Sequence, residues 1–459
     1  MIQIPYSILE LAVVSEGSTP ADAFRNSLRL AQEAEELGYS RFWLAEHHNM
    51  ISVASSATVV LIGYIAGGTK KIRVGSGGIM LPNHSPLIVA EQFGTLGTLY
   101  PGRIDLGLGR APGTDQVTAH AINAGRNQSV HQFPEDISRI QQYFSPQNAH
   151  SKVRVSMAEG VDVPLYILGS STESARLAAR KGLPYAFASH FSSAALTEAL
   201  AIYHREFQPS AVLKEPYTIA CVNVIAADSN EEAERLSTSH LRMIMGLFSG
   251  ELQLLQPPVE ISAELRQIRQ HPGIQQFTKY SFIGDKASVG DQIGQFLQQT
   301  RVSELMVATN VFDIEDRLKS YRIVAEIMSA EKISIRQIGA NDLEALQNLS
   351  RQTFYETFAP HNTEENMREY LETGLSLQNL RKEMNNPDSR FYFAELKGRP
   401  IGYLKLNSGK AQTELQDAAS LEIERIYVLK EYHGQKVGQI LFNKAIEEAG
   451  SGAYQYLWL

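Results

Sequence analysis

Short apolar runs alternate along most of this chain with longer stretches in which apolar residues recur every three or four positions. The first pattern predicts buried strands and the second amphipathic helices. Residues 2–12 read as a first strand. Thr19-Pro20 then opens a helix, with a capping hydroxyl before a proline suited to the first turn, and Phe24, Leu28, Ala31 and Ala34 follow at helical spacing up to Gly38. Residues 42–45 form the next strand and 54–65 the next helix. Residues 72–75 run as a strand into Ser76-Gly77-Gly78, and a helix over 87–99 stops at Tyr100-Pro101-Gly102. The strand over 104–108 breaks into Gly109-Arg110-Ala111-Pro112-Gly113. Strands over 164–168, 185–188, 218–226 and 304–308 complete a set of eight, with a helix over 175–181 among the connections.

Strands that alternate with helices pair in parallel, and eight of them close a barrel. The fold class read from the pattern is therefore α/β, a (β/α)8 TIM barrel, with a doubly wound open sheet as the alternative. Gly107-Leu108-Gly109 does not serve as a dinucleotide fingerprint, because the third glycine is misplaced and Pro112 interrupts the helix that must follow. Residues 240–275 break the repeat with Met243, Met245, Pro257-Pro258 and His271-Pro272-Gly273, and read either as a mobile lid or as a surface helix pair.

A different pattern begins near residue 331. It comprises a strand over 333–336, a helix over 342–358, a hairpin of 391–396 with 401–406, a strand over 421–428, a loop, a helix over 439–449 and a strand over 454–459. The expected division is a barrel over 1–330 and a smaller α/β domain over 331–459.

Composition narrows the function. Hydrophobic residues make up 43% of the 459, enough for ordinary cores, and the net charge of −8 argues against nucleic acid as a partner. Cys221 has no second cysteine to pair with, which suits a reducing compartment. The longest apolar run, 57–66, is too short to span a bilayer, and the amino-terminal residues read directly as a strand rather than as a signal peptide. The expectation is a cytoplasmic protein without membrane contact.

The chemistry sits at predicted strand ends. Glu46-His47-His48 places an acid and two imidazoles after the second strand, and successive side chains there point to opposite sides, so one histidine at most faces a given pocket. No spaced partners such as HExxH accompany them, and no metal site is expected. Ser170, Ser171 and Ser174 stand where a helix starts, which reads as an anion cradle or as an ordinary helix cap. Taken together, Ala45-Glu46-His47-His48, the stretch GSGGIMLPNHSP and the stretch PGRIDLGLGR resemble the bacterial-luciferase-like flavin monooxygenases, over about the first 330 residues.

That resemblance implies reduced FMN supplied by a separate reductase, dioxygen, a small-molecule substrate and a possible homodimer. It assigns His47 to catalysis beside the flavin, a non-proline cis peptide and a flavin contact to Gly77-Gly78, and the flavin phosphate to Arg110 with Ser170, Ser171 and Ser174. An F420-dependent oxidoreductase and a non-catalytic flavin-binding barrel serving an acetyltransferase are the alternatives. The region after 331, with Tyr432-His433-Gly434-Gln435-Lys436-Val437-Gly438, resembles the GNAT N-acetyltransferases. This second resemblance implies acetyl-CoA held by Val428, Gly434, Lys436, Val437 and Gly438. Glu422 and Glu424 share one face of the preceding strand and include the candidate general base, taken as Glu424. His433 and Lys436 depart from the family's loop pattern. The GNAT pattern continues past the 454–459 strand, so the domain is expected to be truncated and of doubtful activity.

Overall fold

The computed structural model describes residues 4–124, 126–329, 333–396, 398–434, 437–451 and 454–459. It forms two compact units, Met1–Ser329 and Ala330–Leu459.

In the first unit the parallel strands are β1 (Tyr6–Glu10), β2 (Arg41–Leu44), β3 (Arg73–Met80), β4 (Ile104–Gly109), β5 (Leu165–Gly169), β6 (Tyr185–Phe187), β7 (Thr218–Ala226), β8 (Ser281–Gly284) and β9 (Glu304–Ala308). Strands β1 to β7 pair in sequence, and β7 pairs with β9, which returns to β1 and closes an eight-stranded ring. The ninth strand, β8, pairs with β7 at residues 223–226, after β7 has paired with β6 at 218–220. The pattern along the chain shows the eight ring strands and misses β8.

Alternation along each strand divides the core in two. Phe42 and Leu44 of β2, with Leu305 and Val307 of β9, face the helical layer. Trp43 and Met306 point inward, among Leu9, Tyr166, Ile219 and Cys221. Because both faces are covered, the ring strands are largely buried, as β4 shows with six consecutive buried residues, Asp105 among them.

The helices form where the chain supplies their ends. Thr19 and Asp22 make a reciprocal capping box for Pro20–Glu36, and Gly38 takes φ +81° just after it. The buried stripe of that helix is Ala23, Ser27, Leu30, Ala31 and Ala34, so Phe24 and Leu28 lie at its margin. The stretch that breaks the repeat begins earlier than its composition suggests, as the helix Asn230–Ser249, which carries a buried face. Leu255 beyond it is buried and bonded through its backbone to Val14 and Glu16 in the loop after β1, so the segment is pinned at that point.

The second unit is a five-stranded sheet in the order β10 (Ser334–Gln337), β11 (Ser389–Leu396), β12 (Arg399–Ser408), β13 (Ser420–Val428), β14 (Tyr456–Trp458). The first four are antiparallel neighbours, and β14 runs parallel to β13. Helices Leu343–Phe358 and Val437–Ser451 bury Leu346, Leu349, Leu441 and Ala445 against it. The helices Glu364–Thr373 and Leu377–Met384 between them are not apparent in the sequence pattern.

Candidate functional site

A cavity of about 330 Å³ opens at the C-terminal ends of β1 to β6, the end at which barrels of this kind carry their chemistry. His47, Gly77, Arg110, Ser170, Ser171 and Ser174 all line it.

The two adjacent histidines, just past the end of β2, point apart. His47 turns into the cavity, with Nδ1 3.4 Å from the Gly113 carbonyl, while His48 turns back and donates from Nε2 to Glu46 at 2.9 Å. Burial pushes the His47 pKa below its usual value, and the Gly113 carbonyl and Glu46 only partly oppose this, so the ring is held neutral. Glu46 is 1% exposed and acts as a hub. It accepts from His48, from His84 Nε2 at 2.9 Å and from the Met80 backbone N–H at 3.0 Å. Burial alone would raise its carboxyl pKa; the donors from His84, His48 and Met80 outweigh that and lower it. Glu46 thus ties the residue before His47 to the loop after β3. His84 and Glu46 lie within the sequence motifs, but that they meet follows only from strand order.

The Gly77–Gly78 peptide bond is cis and coincides with a register shift in the β3–β4 pairing. Both glycines are required by the protein's own packing. A Cβ on Gly77 would come 2.6 Å from Leu9 Cδ1, and one on Gly78 would come 2.7 Å from the Gly107 carbonyl oxygen. Gly77 lines the cavity, whereas Gly78 packs against Gly107 and Leu168.

The serines meet both of their sequence readings. Ser171 caps the helix Thr172–Lys181 by accepting from the Ser174 N–H at 3.3 Å, and Ser174 Oγ donates to the Ser171 carbonyl at 2.7 Å. Their hydroxyls are thus engaged in the cap. The helix start, with its first-turn N–H groups, still opens on the cavity that Arg110 lines. These features fit a flavin phosphate: a guanidinium, a helix N-terminus and Ser170 border one space. Leu9, Leu11, Met80, Phe133, Leu168 and Phe191 supply apolar wall for a planar ring.

In the second unit Gly434, at φ +80°, precedes the helix that begins at Val437. Val437 is buried in the core, and Gly438 has open space where a side chain would stand. Lys436 lies outside the described residues. The Val428 carbonyl accepts from His433 Nε2 at 2.9 Å. β14 pairs with β13 over Ser420–Glu422. Glu424 is ion-paired to Lys405 Nζ at 2.6 Å and to Arg425 at 2.9 Å, and accepts from Asn407 at 2.5 Å. Burial opposes its ionisation, but Arg425 and Lys405 prevail and hold its pKa low, which weakens it as a base.

Comparison with known proteins gives the families. The family described as luciferase-like monooxygenase matches residues 5–308, and the acetyltransferase (GNAT) family matches residues 343–459. The uncharacterized protein YvbT of Bacillus subtilis is 51% identical over 70% of this chain and 96% of its own. An Escherichia coli protein named luciferase-like monooxygenase is 47% identical over 71% and 97%. The N-acetyl-S-alkylcysteine monooxygenase of Bacillus subtilis is 32% identical over 72% and 99%. An uncharacterized N-acetyltransferase of Lactobacillus delbrueckii is 38% identical over 28% of this chain and 73% of its own.

Among solved structures, apo-MsnO8 superposes with a TM-score of 0.65 at 36% identity, over 71% of this chain and 98% of that one. The fold is shared by the oxygenating constituent of 3,6-diketocamphane monooxygenase in complex with FMN, at 17% identity and TM-score 0.54, over 71% of this chain and 98% of that one. It is also shared by an F420-dependent secondary alcohol dehydrogenase, at 16% and 0.53, over 71% and 99%. Among the described residues no helix is long and apolar enough to cross a membrane. The chain belongs to the luciferase-like monooxygenase family and carries a C-terminal domain of the GNAT acetyltransferase family.

Proposed function

We propose that the barrel is a monooxygenase that uses reduced FMN and dioxygen to oxygenate a small organic compound, the reduced flavin coming from a separate reductase. The observation that carries this reading is the shared cavity. It brings Arg110 and the start of helix Thr172–Lys181 together with the neutral imidazole of His47. When bound, FMN supplies the electrons that activate oxygen. Arg110 and the helix start hold its phosphate, through a bidentate guanidinium and first-turn N–H groups. His47, fixed by the Gly113 carbonyl and by Glu46 beside it in the chain, is neutral and takes or gives a proton at its cavity-facing edge. The apolar wall keeps water from the reacting atoms.

The fold itself does not choose between FMN and F420, since barrels of this shape serve both. Fluorescence titration with FMN and with F420, followed by oxygen uptake with a flavin reductase present, tests the reading. Tight FMN binding with reductase-dependent oxygen uptake is the expected result. F420 binding without FMN binding would transfer the barrel to the deazaflavin reading.

For the second unit, Val428, Gly434, and Val437 with Gly438 at a helix start support acetyl-CoA binding, with the diphosphate against that helix start. Glu424 is the base in this reading, working against the ion pairs that lower its basicity. Calorimetry with acetyl-CoA, beside an acetyl-transfer assay on a panel of amines, measures both properties.

A further inference from the structure

The cavity holds a second histidine that the flavin reading leaves without a task. His190 follows β6 and lines the same space as His47. The turn that carries it is fastened to β7 by two hydrogen bonds. Ser189 Oγ donates to the Cys221 carbonyl at 2.5 Å, and Asn223 Nδ2 donates to the His190 carbonyl at 2.6 Å. The ring of Phe191 stands edge-on to the imidazole at 4.7 Å. Nδ1 is buried and has no hydrogen-bond partner among the described residues, so the Nε2 edge is the one the ring offers to the cavity. A surface histidine would not need this fixation; a group that recognises a ligand does.

We propose that His190 binds a polar atom of the substrate through Nε2, and that this substrate is an uncharged compound with an apolar body. The inference rests on the flavin reading of the same cavity. Among the charged side chains of the wall, Arg110 and Glu173 belong to the phosphate-binding stretch. Glu46 is taken up by His48, His84 and the Met80 N–H. That leaves no cation in the described wall, apart from Arg110, to pair with a substrate carboxylate. Burial, with His47 and His240 nearby, holds His190 neutral at a pKa of about 3, so it offers hydrogen bonding without charge. Leu9, Leu11, Met80 and Phe191 supply the apolar contact.

The test uses the full chain with FMN and a flavin reductase. The probes are methyl phenyl sulfide and cyclohexanone, each beside its ring-carboxylated analogue. With the sulfide, one atom of O2 bonds to sulfur, which is oxidised. The other leaves as water with two hydrogens from reduced FMN, which returns to FMN. The expected result is turnover of a neutral probe at a kcat/KM at least about tenfold above its carboxylated analogue, the worth of one missing polar partner. His190→Phe should raise KM for that probe about tenfold with kcat and FMN affinity little changed, and His190→Asn should recover part of the loss. No turnover of either neutral probe while FMN binds, a preference for the carboxylates, or an unchanged KM in His190→Phe would overturn the proposal. Failure of wild-type protein to bind FMN would instead overturn the flavin reading beneath it.

Discussion

At the N-terminal end of the barrel, Arg41 bridges Asp105 at 2.7 Å and Glu304 at 2.8 Å. Tyr166, Trp43, Tyr217 and Arg73 occupy the remaining positions around these groups. At the C-terminal mouth Glu46 and Glu10 are completed in the same way, by His48, His84 and Met80 and by Arg317 and Ser27, but other buried polar atoms are left without partners. His190 Nδ1, Asn223 Oδ1, Asn310 Oδ1 and both nitrogens of His240 have none among the described residues. Both ends bury polarity inside the same ring, under the same penalty for leaving it unpaired. One end satisfies its groups internally and holds the strands together. The other keeps hydrogen-bonding capacity in reserve next to the cavity. The unpaired polarity beside His47 is therefore what a ligand in the cavity can complete.

The largest effect should come from breaking the completed end. Arg41→Ala leaves Glu304 buried without its cation and Asp105 with Arg73 alone, and should destabilise the fold by about 3–5 kcal/mol. Denaturant unfolding measures this; a loss below about 1 kcal/mol would remove the contrast between the ends. His47→Ala should leave folding and FMN affinity in place and slow oxygenation about 100-fold, or about 2.7 kcal/mol, in single-turnover assays. Arg110→Ala should do the reverse, weakening FMN by about 1.5–3 kcal/mol in a fluorescence titration.

Acid sharpens the comparison further. Burial depresses His240 to about 4 and His190 to about 3, against an ordinary value of 6.5. A histidine depressed by folding adds stability above its unfolded pKa, and that stability is lost as pH falls toward the folded value. Between pH 6.5 and 4, unfolding free energy should fall by up to about 1.4 kcal/mol per pH unit for each of the two. The smallest effect is a gain: His240→Leu removes two unpartnered nitrogens and should stabilise the fold by about 1 kcal/mol while reducing the acid slope. A destabilised His240→Leu would show that those nitrogens are satisfied in solution.

These contrasts also explain what could be read from the chain. The ring strands were legible because both of their faces are buried, which leaves runs such as Ile104–Gly109 without an exposed position. Ser281–Gly284 was not, since only Phe282 and Gly284 of its four residues are buried, whereas the equally short Arg41–Leu44 is buried throughout. The helix Asn230–Ser249 was divided at residue 240 because its first turns are rich in glutamate and its last in apolar residues. At the site, the divergence of His47 and His48 is as expected from alternation, although both lie beyond the end of β2. Glu46 meeting His84, and Asn223 clamping His190, join residues more than thirty positions apart, and no local pattern encodes such pairs. The serines after β5 show the limit in another form, because capping a helix and cradling an anion call for the same residues.

The exchange of partners along β7 bears on how this scaffold diversifies. Its first residues complete the ring with β6 and β9, while its last four extend past β6 and bond to β8. Ring closure thus depends on one half of the strand, and the intervening segment up to β8 hangs from the other. Such a segment can vary at its exposed positions without touching the ring's closure or register, while its buried helix face and Leu255, bonded to Val14 and Glu16, are the parts that must be kept.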